Sequence, residues 1–286
     1  MTEIVGTAET TGNAENAESE TPKMAEIADI AETAGNAEIV ENAEIVENVK
    51  NAENAEMRHP EQSMKEGPMR EQLEFQYAEF TGVMGKVLGL LEKALDLPEG
   101  WLKEKHDLTK THRTLLRVTH YPPLKDFGLQ WTPETATDSQ GNPTMLRIGE
   151  HRDLGTVTVL ACDDQGGLEV SVEKEDGSSE WVTVPLVEQS LVINSGLCLY
   201  RLTNQRVKAS VHRVVANEKS NTNSRYSVIL FGNGNEDARL LSHPNFGEAA
   251  ERKYEDASFG QYLACKLIQI FEKDASQNKG KCRFDD

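Results

Sequence analysis

Hydrophobic residues recur every three or four positions between residues 71 and 97, which is the spacing of one face of an amphipathic α-helix. The stripe consists of Leu73, Phe75, Tyr77, Phe80, Val83, Met84, Val87, Leu88, Leu91 and Leu95. Pro98 and Gly100 follow, and both residue types favour the end of a helix. A similar stripe in residues 258–273 predicts a second helix near the end of the chain.

Between these helices, residues 113–232 are organised as short apolar segments separated by turn residues. The segments are 114–121, 145–151, 156–161, 168–172, 181–184, 191–194, 211–216 and 225–231. Short segments separated by roughly 8–12 residues are typical of a β-sandwich or a β-barrel. The pattern therefore predicts a mainly β fold with flanking helices.

Residues 1–63 differ from the rest because Ala, Glu, Asn and Thr dominate them. A six-residue repeat occupies 36–41 and 42–47. On a helix, a six-residue period places successive apolar pairs about 240° apart, so no continuous apolar stripe forms. We expect a disordered acidic tail over 1–63 and a folded domain over 64–286.

The net charge of −18 is concentrated in this tail, because residues 1–60 hold 14 acidic and 3 basic residues. The remainder is mildly acidic and has no basic stripe, which argues against nucleic-acid binding. The chain has no apolar run near the ~18 residues of a membrane span and no signal peptide at its start. Its four cysteines form no Cys-x-x-Cys pair. We therefore expect free thiols and a monomeric cytoplasmic protein.

Two histidines and one carboxylate are candidate metal ligands. His151 and Asp153 lie at the end of a predicted strand, where residues two apart share a face, and His212 lies in another apolar segment. Two histidines and a carboxylate suit non-haem Fe(II), because they leave coordination positions open. Spacing alone does not distinguish this motif from His59-Pro60-Glu61, and each histidine taken singly also fits an ordinary core or surface residue.

A candidate carboxylate-binding pair follows thirteen residues after His212. Arg225 and Ser227 share one face of a predicted strand, and a guanidinium with a hydroxyl can bind a carboxylate group. An ordinary arginine at a strand edge, paired with a surface carboxylate, is the alternative.

Several motifs in one order resemble the isopenicillin N synthase-like branch of the 2-oxoglutarate/Fe(II)-dependent dioxygenases. They extend over roughly residues 70–275. The motifs are Tyr121-Pro122-Pro123, the run 147–160 around His151 and Asp153, Gly166-Gly167-Leu168, Trp181-Val182, Leu191–Gly196, the run 211–215 around His212, and Arg225-Tyr226-Ser227.

The resemblance implies a double-stranded β-helix, or jelly roll, with His151, Asp153 and His212 as the iron ligands. It implies that Arg225 and Ser227, helped by Tyr121, bind the distal carboxylate of 2-oxoglutarate. The implied cofactors are Fe(II), 2-oxoglutarate and O₂. The implied reaction is hydroxylation, desaturation or ring closure of a small organic molecule, of the kind found in secondary metabolism, with succinate and CO₂ as co-products.

The chain departs from the family pattern in its N-terminal segment, at Thr119, at Leu197-Cys198 after Gly196, and at Arg152 in the metal motif. Related sequences carry a further N-terminal segment, and here the low-complexity tail stands in its place. Thr119 stands where plant relatives often have Asn. Two alternatives stay open. One is an oxidase that uses no 2-oxoglutarate, in which Arg225 and Ser227 hold a substrate carboxylate. The other is a non-catalytic binding module.

Overall fold

The computed structural model describes residues 68–127, 136–247, 251–271 and 284. Within these residues the chain divides into two units. The first unit contains Leu115–Tyr200 and Val207–Gly232, and the second contains Arg201–Arg206 with the described parts of Thr33–Thr114 and Asn233–Asp286. The acidic tail expected over 1–63 lies outside the described residues.

The first unit is built from antiparallel strands. They are β1 (Leu115–Tyr121), β2 (Ala136–Thr137), β3 (Pro143–Thr144), β4 (Leu146–His151), β5 (Val157–Cys162), β6 (Leu168–Glu173), β7 (Ser179–Thr183), β8 (Val192–Ser195), β9 (His212–Val215) and β10 (Arg225–Gly232). One four-stranded sheet has the order β1-β10-β5-β8 and the other β4-β9-β6-β7, while β2 and β3 form a small separate pair. From β4 onward, most connections cross from one four-stranded sheet to the other, as in a jelly roll. The predicted jelly-roll core is confirmed.

The two four-stranded sheets share an apolar interior. Leu160 of β5 packs with Leu168 of β6 and Val214 of β9, so this cluster joins both sheets. Partly buried side chains extend the cluster at Ile148, Cys162, Val184, Val192 and Ile229. Because side chains alternate along a strand, the same inner faces that carry these residues also carry the polar side chains described below.

The second unit contains α1 (Pro68–Ala94) and α3 (Phe259–Phe271), and the short α2 (Leu197–Leu202) crosses from the first unit into it. The pattern predicted the first helix to residue 97, but it ends earlier because Asp96 adopts a left-handed conformation with φ of 52°. The buried Glu92 carboxylate then accepts the backbone N–H groups of Gly100 and Leu102, which fixes the turn after the helix. No helix in the described ranges has the length and apolar character that a membrane crossing needs.

The cysteine expectation is wrong in part. Cys162 and Cys198 form no disulfide bond, whereas Cys265 in α3 is disulfide-bonded. No Cys-x-x-Cys motif in the sequence points to this bond, which depends on how the folded chain places its cysteines.

A buried histidine makes the second unit sensitive to acid. The ring of His106 is buried, donates from Nδ1 to Leu102 O at 2.8 Å, and meets the Phe259 ring edge-on at 5.7 Å. Burial lowers the pKa of His106 from 6.5 to about 4. The unfolded chain therefore binds one more proton than the folded chain between these two pH values, and stability falls as pH drops through this window.

We expect the free energy of unfolding to fall by roughly 2 kcal/mol between pH 7 and pH 5 through His106 alone. His106→Gln removes the titrating ring and should flatten this part of the pH profile. Urea unfolding of both proteins at several pH values measures the difference. If the free energy of unfolding falls equally with pH in the two proteins, His106 does not control the loss of stability in acid.

Candidate active site

Pairing of β4 with β9 brings the three predicted ligands together. His151 is the last residue of β4 and lies opposite His212, the first residue of β9. Nε2 of each histidine lies 3.8 Å from Oδ1 of Asp153, which follows β4 by two residues. The potential ligand atoms of the three residues all lie within 4.8 Å of one another. The arrangement offers two imidazole nitrogens and one carboxylate oxygen to a single ion.

Both histidines are oriented with Nε2 free to bind a metal. Nδ1 of His151 donates to Gly149 O at 2.9 Å, and Nδ1 of His212 donates to Ser210 O at 3.2 Å. A proton on Nδ1 leaves the lone pair of a neutral ring on Nε2. Burial lowers the pKa of His212, against the opposite effect of the Asp153 carboxylate. The neutral form that a metal requires is therefore favoured.

Asp153 is held by one oxygen and presents the other. Its carboxylate is buried, and Oδ2 accepts the hydroxyl of Thr158 at 2.5 Å and the side-chain amide of Asn194 at 2.8 Å. Thr158 of β5 and Asn194 of β8 are directly opposite in the sheet register. These two donors fix the carboxylate so that Oδ1 faces the histidines. Neither residue was among the predicted site residues, and the one signal in the sequence was the hydroxyl of Thr158 within the apolar segment 156–161.

We expect Asn194→Ala to weaken Fe(II) affinity by roughly 10–100-fold, the usual cost of losing a hydrogen bond behind a metal ligand. Anaerobic calorimetric titration with Fe(II) measures the change. Ser195→Ala is the matched control, because Ser195 is the next residue on β8 and its hydroxyl donates to Lys208 O instead. Unchanged affinity in Asn194→Ala would show that the amide does not position the carboxylate.

Close backbone packing fixes the segment that carries Asp153. Leu197 N donates to Asp153 O at 2.8 Å. A Cβ at Gly196 would lie 2.2 Å from Gly155 O and 2.9 Å from Asp153 O, so only glycine allows this approach. The glycine after β8 is therefore part of the support for the ligand segment.

A buried ion pair supports β9 behind His212. Arg213, the next residue, donates from Nε to Glu169 Oε2 of β6 at 2.8 Å and stacks 4.0 Å over the Trp181 ring of β7. Both charged side chains are almost fully buried. Because neighbouring residues of a strand face opposite ways, this pair lies on the outer face of the sheet and holds β9 in place while His212 faces inward.

A second polar group lies at the start of β10, where Arg225 and Ser227 face the interior beside Tyr121 of β1. Arg225 donates from Nε to Gly166 O at 2.9 Å, and its guanidinium lies 4.9 Å from the centre of the Tyr121 ring. Tyr121 is opposite Arg225 in the sheet register. Burial raises the pKa of the Tyr121 hydroxyl, while Arg225 and Ser227 beside it act in the opposite direction.

Three buried polar atoms here lack a hydrogen-bond partner of good geometry among the described residues: Arg225 Nη1, Ser227 Oγ and Thr119 Oγ1. Arg225 and Ser227 are only 6% and 1% exposed. Unsatisfied buried donors are costly, so a cluster of them indicates a site for an acceptor. A guanidinium flanked by hydroxyls fits a carboxylate group. Thr119, which replaces the Asn of plant relatives, still presents a polar atom at this place.

Apolar side chains surround these polar groups. A cavity within the first unit is lined by Arg225 and Cys162 together with Leu160, Leu168, Val184 and Val192. Burial raises the pKa of the Cys162 thiol, so the neutral thiol is favoured in this cavity. Hydrophobic walls limit the access of water and strengthen the interaction of Arg225 with an anion.

Comparison with known proteins agrees with the geometry. Residues 113–234 match the 2OG-Fe(II) oxygenase superfamily. The chain is 32% identical over 196 residues to a 2-oxoglutarate-dependent dioxygenase of Glarea lozoyensis, covering 65% of this chain and 54% of that protein. It is 33% identical over 199 residues to the clavatol oxidase of Penicillium crustosum, covering 70% of this chain and 53% of that protein. The chain thus spans little more than half the length of these curated relatives.

Solved structures give the same picture. Neurospora crassa T7H in complex with alpha-KG matches with a TM-score of 0.57 and 26% identity, over 70% of this chain and 57% of that one. A 2OG-Fe(II) oxygenase family protein of Caulobacter crescentus matches with a TM-score of 0.56 and 28% identity, over 71% of this chain and 60% of that one.

Proposed function

Residues 113–234 belong to the 2OG-Fe(II) oxygenase superfamily, and we propose that the chain oxidises a small organic molecule with O₂, Fe(II) and 2-oxoglutarate. In a hydroxylation, one oxygen atom enters the substrate C–H bond and the other enters succinate, while 2-oxoglutarate loses CO₂. The observation that carries the proposal is the convergence of His151, Asp153 and His212 within 4.8 Å, each held by hydrogen bonds on the side away from the shared centre.

In this proposal, His151, Asp153 and His212 would hold Fe(II). The donor set fits, because two neutral imidazoles and one carboxylate suit non-haem Fe(II) and leave positions open for other ligands. Bound Fe(II) together with 2-oxoglutarate would supply the oxidising chemistry. The contribution of the chain is orientation: Thr158 and Asn194 fix the carboxylate, and the two backbone carbonyls fix the imidazole rings.

Arg225, Ser227 and Tyr121 would bind the distal carboxylate of 2-oxoglutarate. Nη1 of Arg225 and the hydroxyl of Ser227 would then gain an acceptor of good geometry, which the described residues do not supply. The Arg225 Nε bond to Gly166 O holds the guanidinium plane in advance, so little rotamer entropy would be lost on binding. Leu160, Leu168 and Val192 would keep water from the reacting region.

Succinate production tests this function. Purified chain is incubated with Fe(II), ascorbate, O₂ and ¹³C-labelled 2-oxoglutarate, and labelled succinate is measured by mass spectrometry with and without candidate small molecules. We expect succinate from the wild type and none above background from Asp153→Ala, with Ser195→Ala as a control that retains activity. O₂ consumption without succinate would favour the oxidase alternative. Metal binding without O₂ consumption would favour a binding module.

The expected oligomeric state, cellular location and metabolic role belong to the same proposal. A monomer, a cytoplasmic location and a role in secondary metabolism are consistent with a small-molecule oxygenase. Size-exclusion chromatography with light scattering measures the first, and localisation of the tagged full chain measures the second.

A further inference from the structure

One face of β1 forms a wall of the interior. His120 of β1 stacks on Tyr226 of β10 with ring centres 4.5 Å apart, and Tyr226 lies on the strand face opposite Arg225 and Ser227. Because strand side chains alternate and the β1–β10 register is continuous, the other residues of β1 face the interior at every second position. These inward-facing residues are Leu115, Arg117, Thr119 and Tyr121.

The sheet register shows which residues of the site lie at the same height along the strands as each of these residues; each such height is called a level below. Tyr121 lies opposite Arg225, and Thr119 lies opposite Ser227, so both belong to the carboxylate-binding level. Leu115 lies opposite Phe231 and belongs to the level next to Thr158, which holds Asp153. Arg117 lies opposite Ile229, between these two levels. Arg117 is therefore placed on the inner face of the sheet, between the residues proposed to bind 2-oxoglutarate (Arg225, Ser227 and Tyr121) and Thr158, which holds Asp153.

Arg117 differs from Arg225, the other cation on the inner face of this sheet, in its exposure and in its contacts. Arg225 is buried and donates to Gly166 O. Arg117 is exposed, and it makes no ion pair or hydrogen bond with another described residue.

Apolar side chains lie beside Arg117 on the side away from Thr119. Leu115 is 51% exposed on the same strand face, and Ile229 and Phe231 of β10 are partly exposed beside it. A ligand with an apolar body and one anionic group would contact both the apolar side chains and the guanidinium.

We propose that Arg117 is the substrate-binding residue that selects a small apolar molecule carrying a carboxylate group. The inference rests on the proposed function, because it assumes that the metal and 2-oxoglutarate occupy the levels described above. The planar guanidinium binds the substrate carboxylate, Leu115 and Phe231 contact its apolar body, and the C–H bond to be oxidised lies toward the metal level.

Binding of matched acids and amides tests this assignment. The full chain is loaded with Zn(II), which does not react with O₂, and with saturating 2-oxoglutarate so that Arg225 is occupied. Phenylacetate and octanoate are compared with phenylacetamide and octanamide by saturation-transfer NMR. We expect at least one acid to bind wild type more tightly than its amide, and Arg117→Gln to weaken that acid at least tenfold while leaving the amide unchanged.

Two controls make the test decisive. Lys86→Gln removes an exposed cation of α1 and should change neither ligand. Arg117→Lys keeps the charge but loses the planar guanidinium group. Its affinity for the acid should therefore lie between those of Arg117→Gln and wild type. Equal binding of acids and amides, no binding of any acid, or equal acid affinity in wild type and Arg117→Gln would each overturn the assignment.

Failure of the proposed function would be visible separately. If wild type does not retain Zn(II) and 2-oxoglutarate in the loading step, the proposed function fails before any acid is added. If the loaded complex forms in wild type and in Arg117→Gln, a negative acid result refutes only the role of Arg117.

Discussion

Asp153→Ala is expected to abolish stable Fe(II) binding and all succinate formation. The carboxylate is the only charged ligand in the group, and its loss leaves two neutral imidazoles whose rings are 4.2 Å apart between centres. Thr158 and Asn194 would also lose their acceptor in a buried position. The fall in affinity should exceed the roughly 10–100-fold effect of removing a supporting hydrogen bond. Metal analysis after anaerobic gel filtration measures the retained iron.

Asp153→Asn separates charge from shape in this experiment. Its side chain keeps the size of the native residue but loses the negative charge, so iron retention should stay far below that of wild type. Ser195→Ala should retain iron like wild type. Iron retained by Asp153→Ala at the wild-type level would refute the assignment of Asp153 as a ligand.

Arg225→Gln should have the second largest effect, on 2-oxoglutarate rather than on iron. Removing one member of a buried, hydrogen-bonded charge pair costs about 2–5 kcal/mol, which corresponds to roughly thirtyfold to several thousandfold in Kd. Arg225→Lys keeps the charge but not the planar guanidinium group. A lysine amine cannot reproduce both the hydrogen bond to Gly166 O and the contact with the ligand. Calorimetric titration of 2-oxoglutarate into the Zn(II)-loaded proteins measures each Kd.

The control for Arg225→Gln is that it should weaken 2-oxoglutarate binding without changing metal binding. Zn(II) affinity should be the same in wild type and Arg225→Gln, because Arg225 does not touch the metal-binding residues. Lys86→Gln should bind 2-oxoglutarate normally. A normal 2-oxoglutarate Kd in Arg225→Gln would mean that Arg225 and Ser227 bind another group, as in the oxidase alternative.

The periodicity of the chain was enough to predict the kinds of elements and their order. The apolar stripe placed the first helix at 71–97, and the structure has it at Pro68–Ala94. The difference arises at Asp96, whose left-handed backbone is stabilised by contacts of Glu92 with residues several positions later. Such contacts leave no trace in the hydrophobic pattern, and so the boundary could not be predicted from it.

The candidate ligands were predicted for a partly different physical reason. We expected His151 and Asp153 to converge because they alternate along one strand, but β4 ends at His151 and Asp153 lies in the loop after it. The convergence comes instead from the pairing of His151 with His212 and from the bond of Leu197 N to Asp153 O. Both are contacts between distant parts of the chain.

The supporting residues of the site were the part that sequence could not reveal. Thr158, Asn194 and the Glu169–Arg213 pair act through partners that are 5 to 44 positions away. Their roles depend on the register of strands, which is set by the whole fold rather than by local pattern. The resemblance to a known family identified the ligands by motif, but it assigned no role to these partners.

The most direct test of the central claim is an anaerobic titration of the purified chain with Fe(II) and then 2-oxoglutarate, followed by visible absorption. The proposed site predicts a charge-transfer band that appears only when both are present, is absent in Asp153→Ala and is weakened in Arg225→Gln. Iron binding with no band on addition of 2-oxoglutarate would contradict the assignment of the co-substrate, and absence of iron binding in wild type would contradict the metal site itself.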